Sequence, residues 1–207
     1  MYRISINEEL EFDVYKKLID FAFEKSDAIM SVTYRFSEDI ESRYTIKDKS
    51  IYDSEEEYLR FLKIYERMKK EAYEYHRIFK NSTEQFLEKM RPYLIKIRNH
   101  PTEWPSCMIT FDHPDDGVDI CTYRICSEVK SYILQGKGLF NWKYPNLPDD
   151  LCFFLNGYCW FCTVSHEGYA TMFLSDFKEV EKLRKIGLKF ELTECKDEEV
   201  KLFHEDY

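Results

Sequence analysis

The stretch from Asp150 to Ser175, DLCFFLNGYCWFCTVSHEGYATMFLS, constrains the fold more than any other, because turn chemistry and apolar runs agree there over three consecutive elements. Leu151 to Leu155 is a short apolar run. Asn156-Gly157 tolerates the positive φ angles of a type I′ turn, and Tyr158 to Val164 is a second, aromatic run, so the segment spells a hairpin. Ser165-His166-Glu167-Gly168 reverses the chain again into a third strand, Tyr169 to Leu174, which completes a meander. With Asn156 and Gly157 as the loop, Leu155 pairs with Tyr158, Phe154 with Cys159, Phe153 with Trp160 and Cys152 with Phe161. Alternation then places Cys152, Phe154, Cys159, Phe161 and Thr163 on one face. The other face takes Leu151, Phe153, Leu155, Tyr158, Trp160, Cys162 and Val164. Both faces are apolar, so both must be covered.

Upstream, Ala28 to Phe36 is β-branched and aromatic, and Ser106 to Phe111 and Val118 to Ile125 read as two more strands, while Leu188 to Leu192 alternates as a closing one. Asp13 to Lys25 and Ser175 to Lys185 are amphipathic helices. Asp53-Ser54-Glu55-Glu56-Glu57 is a helix start, with a capping side chain and acids where the helix dipole favours them. In the helix that follows, Tyr58, Phe61, Tyr65, Met68, Ala72, Tyr75 and Phe79 alternate in spacings of three and four, a heptad stripe. Asn81-Ser82-Thr83 recaps the chain, and Phe86, Met90, Leu94 and Ile97 continue it as a second helix divided by Pro92. The expected architecture is a single α+β domain over residues 1–207: an antiparallel sheet with a C-terminal three-stranded meander, covered by helices. Residues 53–98 form an inserted helical hairpin able to stand as a lobe of its own.

The chemistry-bearing residues give few motifs. Asp112, His113, Asp115 and Asp116 lack the spacing of a calcium loop. Cys152, Cys159, Cys162 and His166 have zinc-ligand types, but the register above sends Cys159 and Cys162 to opposite faces, so no metal site is expected. Gly136 and Gly138 follow a helix instead of preceding one, which suits a C-cap and not a phosphate cradle; no cofactor is implied. His166 and Glu167, joined by Asp112 or His113 from another strand, are the candidate acid/base set of a small hydrolase. Aromatic candidates for binding are Tyr58, Tyr65 and Tyr75 on the stripe, Trp104 in the rigid loop Asn99–Pro105, and Trp142 and Tyr144 in LFNWKYP.

Net charge of -9 disfavours direct nucleic-acid binding, which draws its affinity from cations on phosphates, and favours a protein partner with a basic surface. Seven Cys, an odd number set in apolar strands, read as free thiols of a reducing compartment. With no apolar span or leader pattern at MYRISINEEL, the expected location is the cytoplasm, without a membrane.

The segments DLCFF, NGYCWF, TVSHEGYA and KLRKIGLKFEL, with WPSCMITF and LFNWKYPNLPDDL upstream, resemble a group of small bacterial proteins to which no activity is attached. The resemblance covers roughly Ile97 to Leu192 and implies a bacterial or phage origin, without catalytic residues to carry over. Taken together, the sequence reads as a non-enzymatic interaction module of the immunity-protein, antitoxin or inhibitor type that occludes a basic partner surface. The alternatives are the His166/Glu167 hydrolase and a structural protein that dimerises through the helical hairpin.

Overall fold

The computed structural model describes residues 1–35, 40–44, 48–99, 101–105, 107–108, 117–196, 200 and 202–207. The chain runs β1 (Tyr2–Ile6), α1 (Phe12–Lys25), β2 (Ala28–Arg35), α2 (Ile40–Arg43), α3 (Glu55–Asn81), α4 (Thr83–Met90), β3 (Leu94–Asn99), β4 (Glu103–Trp104) and β5 (Cys107–Met108). It continues with β6 (Gly117–Arg124), α5 (Ser127–Ile133), β7 (Asp149–Leu155), β8 (Tyr158–Val164), β9 (Tyr169–Leu174), α6 (Phe177–Lys185) and β10 (Glu191–Glu194). Eight strands form one antiparallel sheet in the order β10-β1-β9-β8-β7-β2-β6-β3, and β4 and β5 form a separate ribbon. The protein is thus α+β, with a long helix inserted between strands that share the sheet.

The meander is present, and Asn156 (φ 53°) and Gly157 (φ 80°) take the positive φ angles that the turn requires. Leu155 pairs with Tyr158 and Phe154 with Cys159 as expected, but a bulge then shifts the ladder, so Phe153 opposes Phe161 and Cys152 opposes Cys162. One extra residue on β8 reverses the facing of everything beyond it. Trp160 and Phe161 therefore both enter the core beneath the helices, with Leu151 and Phe153, while Cys159 and Cys162 share the opposite face with Cys152 and Phe154. The face assignment of Phe161, Cys162 and the residues after them is corrected accordingly. Phe153, Phe154, Trp160 and Phe161 are all buried, which is the two-sided burial the composition demands.

On the helical side, Tyr15, Leu18, Ile19, Ala22 and Phe23 of α1, Val129 and Ile133 of α5, and Val180 and Leu183 of α6 cover the sheet. The connection from Leu139 to Trp142 completes this layer, and the Trp142 indole donates from Nε1 to the Tyr15 hydroxyl at 3.1 Å. Gly136 is the one residue type that fits beneath that ring, since a Cβ there would lie 2.5 Å from Trp142 Nε1. The other face is closed by Trp104 and Cys107 of the β4–β5 ribbon and by the segment Phe203–Tyr207. That segment runs against the start of β8: Cys159 N donates to Phe203 O and Glu205 N to Gly157 O. Glu205 is buried and pairs with Lys96 at 3.0 Å and Arg98 at 3.3 Å, both on β3.

Three boundaries differ from expectation. The second helix stops at Met90, and after a 3-10 turn over Arg91–Tyr93 the chain becomes β3. Leu94 and Ile97 are one turn apart on a helix but also lie on one side of this bulged strand, so the period-four reading could not separate the two. Of Ser106 to Phe111, Cys107–Met108 belongs to the small ribbon and not to the main sheet, and the rest lies outside the described residues. The closing strand is Glu191–Glu194 rather than 188–192.

Candidate functional site

The helix α3 has the signals that start a helix and few of the contacts that usually keep one. Ser54 Oγ accepts from Glu57 N at 3.1 Å, and Glu57 Oε2 accepts from Asp53 N at 2.9 Å, a reciprocal cap, with Glu55, Glu56 and Glu57 in the first turn and Lys80 in the last. At 27 residues it is about 40 Å long, yet none of its residues is buried. Phe61, Met68 and Tyr75 on the stripe are 37%, 40% and 51% exposed, and Leu59 and Tyr73 are exposed beside them.

Short segments cover the stripe in part. The ring of Tyr52 meets those of Tyr58 and Phe61 at 5.4 and 5.3 Å, which places Tyr58 under cover from the 3-10 turn at Lys49–Ile51 and its successor. Tyr65 is half-buried. Glu41 of α2 holds Lys69 and the Tyr73 hydroxyl. At the other end Tyr75 and Phe79 pack on Tyr144, whose ring also meets Tyr34 of β2. The two short helical turns Ile40–Arg43 and Lys49–Ile51, with the residues next to them, thus hold α3.

Between the C-terminal end of α3, α4 and the strands β2, β6 and β3 lies a cavity of about 560 Å³, with Thr33, Cys121 and Tyr123 on its sheet side and His76, Lys80, Glu84 and Arg91 around it. Tyr144 and Tyr34 close one end. Behind them sits a pair of adjacent buried acids that sequence reasoning did not single out, Asp149 and Asp150. Asp149 accepts from Tyr144 N at 2.6 Å, and Asp150 accepts from Trp104 Nε1 at 3.0 Å and from Ser165 N at 2.8 Å. Burial foremost, then the Asp150 charge, pushes the Asp149 carboxyl up to about 7, against the pull of the Tyr144 amide. Burial likewise holds the Tyr34 phenol above its ordinary range, helped by both carboxylates. The signal was present in the sequence: two acids open a strand whose both faces must be buried, so they are drawn in with it.

The other candidates fall in four places. Trp104 and Trp142 are buried and spend their indole N–H groups inside the protein, so they anchor loops to the core and offer no ring to a partner. His166 and Glu167 are exposed in the turn between β8 and β9, with Nε2 and Oε1 3.8 Å apart, and neither borders the cavity. Asp112 and His113 lie outside the described residues. Cys152, Cys159 and Cys162 form a thiol cluster, because the bulge turns Cys162 to the same side as the other two; the argument from opposite faces is overturned. Burial for Cys159, and the neighbouring Cys159 thiol foremost for Cys162, hold both groups well above the ordinary thiol range, so they stay protonated. Among the described residues no group of three His, Cys, Asp or Glu side chains is disposed to hold a metal ion, and no helix is long and apolar enough to cross a membrane. No family model matches the chain, and no match was found among curated proteins or solved structures.

Proposed function

We propose that the protein is an interaction module of the immunity-protein or inhibitor type, and that α3 is its recognition element. One observation carries this reading: a well-capped helix of 27 residues with none buried holds Phe61, Met68 and Tyr75 in a line toward solvent. A helix whose apolar stripe is only partly covered by its own chain is suited to lie in a groove of another protein, with residues at heptad spacing as anchors. The charge pattern narrows the partner. Arg60, Lys63, Arg67, Lys69, Lys70, Arg77 and Lys80 nearly balance the acids along α3, and the acids cluster at Glu55, Glu56 and Glu57. The basic surface of the partner therefore belongs at the end of its groove that receives the N-terminus of α3.

The test is a pull-down from cells of the source organism, comparing wild type with Phe61→Ala/Met68→Ala/Tyr75→Ala and with Glu55→Gln/Glu56→Gln/Glu57→Gln. The expected result is a stoichiometric partner lost with the first variant and held more weakly, with reduced salt sensitivity, by the second. A partner indifferent to the aromatic changes, or no stoichiometric partner, overturns the proposal.

A further inference from the structure

The two edges of the eight-stranded sheet are β10 and β3, and they differ in chemistry: ELTE on one side, LIKIRN on the other. Among the described residues β10 pairs only with β1 and β3 only with β6, so the outward backbone groups of both edges have no strand partner. Neither strand contains Pro, and the charges and short length that keep such edges from pairing indiscriminately leave room only for a partner of complementary charge. A bulge between Leu94 and Lys96 disturbs the start of β3 and leaves Lys96–Asn99 as a regular stretch that matches the four residues of β10.

Strand direction makes the edges compatible. Every neighbouring pair in the sheet is antiparallel, so with eight strands the two edges run in opposite directions. A second copy set beside the first in the same orientation presents β10 antiparallel to β3. Facing then limits the register to alternate residues. Ile97 opposes Cys121 and Leu192 opposes Ile4, both residues of the core under the helices, so Ile97 and Leu192 share the helical face. Lys96 and Arg98 lie on the other face, as do Glu191 and Thr193. The pairing that puts Ile97 opposite Leu192 also puts Arg98 opposite Glu191 and Lys96 opposite Thr193. Apolar meets apolar, and acid meets base. Among the described residues Lys96 and Arg98 both pair with the carboxylate of Glu205, two cations to one anion, and each also donates to a backbone carbonyl, of Asp206 and Glu103 respectively. Pairing β3 with a second β3 instead would bring Lys96 and Arg98 onto their own copies.

We infer that β3 of one molecule receives β10 of the next, so that the sheet continues from copy to copy in a head-to-tail manner. Such an interface is heterologous and does not close by two-fold symmetry. With four residues on each side it is small, and the association is weak, concentration-dependent and reduced by salt. It is independent of α3.

Sedimentation velocity over a wide concentration range tests it with wild type and two variants at exposed positions. Ile97→Glu sets an acid against the acidic edge, and Glu191→Lys/Glu194→Lys sets bases against the basic one. Wild type is expected to show average mass rising with concentration. Each variant alone should associate roughly fivefold more weakly, since each change costs about one cross-strand pair energy. Circular dichroism checks that both variants fold. An equimolar mixture restores one interface, the intact β3 of one variant with the intact β10 of the other, and should associate more strongly than either variant alone. Wild type that stays monomeric at all concentrations overturns the inference, as do variants that associate like wild type or a mixture that associates no more strongly than either variant alone. Glu191→Lys/Glu194→Lys that still self-associates while Ile97→Glu does not would assign the contact to β3 with itself and also overturn it. The variant Phe61→Ala/Met68→Ala/Tyr75→Ala should assemble like wild type, which separates this contact from partner binding by α3.

Discussion

The meander β7–β9 and the helix α3 are built from similar materials and meet opposite fates. Phe153, Phe154, Trp160 and Phe161 are buried, whereas α3, with Tyr58, Phe61, Tyr65, Tyr73, Tyr75 and Phe79, buries none of its residues. Hydrophobic content alone does not separate the two. A strand apolar on both faces has no stable state outside a covered sheet, while a capped helix meets its own backbone hydrogen bonds and can leave an apolar stripe in water. The first region is stabilised by tertiary burial. The second is held by its cap, its i,i+3 ion pairs such as Glu74–Arg77, and short braces from α2 and Tyr52.

That contrast can be broken by experiment. The largest expected effect is Trp160→Ala, which removes a buried ring packed edge-on against Phe21 and tilted against Phe161 and should cost about 3–5 kcal/mol in urea denaturation. A loss below 1 kcal/mol would mean that the meander is not the stabilising core. Next comes pH. Asp149 is raised in the folded state from its ordinary 3.8 to about 7, so the folded protein binds more protons than the unfolded chain between those values. Its contribution to stability is therefore complete at the acid end and is lost as pH rises, the loss approaching about 4 kcal/mol by pH 8 on simple linkage. Asp149→Asn should flatten this decline and leave the protein more stable at neutral pH; an unchanged slope would refute the assignment. Gly136→Ala forces a Cβ against Trp142 and should cost about 1–3 kcal/mol, read as a lowered urea midpoint with unchanged m-value. Smallest of all, Tyr75→Ala should change stability by no more than about 0.5 kcal/mol, as expected of an exposed site. A larger loss would show that α3 packs more tightly than its exposure implies and would weaken the case for it as a recognition element.

Elements governed by local chemistry could be read from the sequence. Asn156-Gly157 placed the turn, Ser54 and Glu57 placed the start of α3, and the two apolar faces of Leu151–Leu155 foretold cover on both sides. What escaped depends on residues far apart. The bulge at Cys159–Trp160 accompanies bonds from the distant segment at Phe203 and a core that accepts Trp160 and Phe161 together, and no local pattern of β8 announces it. The helix-to-strand change at Leu94 is imposed by pairing with β6, whose partner residues lie beyond a long connection. The same distance explains the candidate site. Tyr144 was legible as an aromatic in a Pro-bounded loop, but its meeting with Tyr34 and Phe79, while its amide N donates to Asp149, joins three separate segments.

The place of β1 has a consequence for the order in which the molecule can be assembled. This strand is near the beginning of the described chain, yet its ladder partners are β9 and β10, and Ile6 pairs with Ala170. During synthesis Ile4 and Ile6 emerge early and have no strand to join until residues past Leu174 have left the ribosome. The layer under α1 then remains open while the residues between β1 and β9 are made, a long exposure for an apolar surface. Topology of this kind, dominated by distant pairings, also slows refolding of the finished chain. Moving β1 to follow β10 through a short linker would place those partners side by side in sequence, and refolding should speed up more than stability changes.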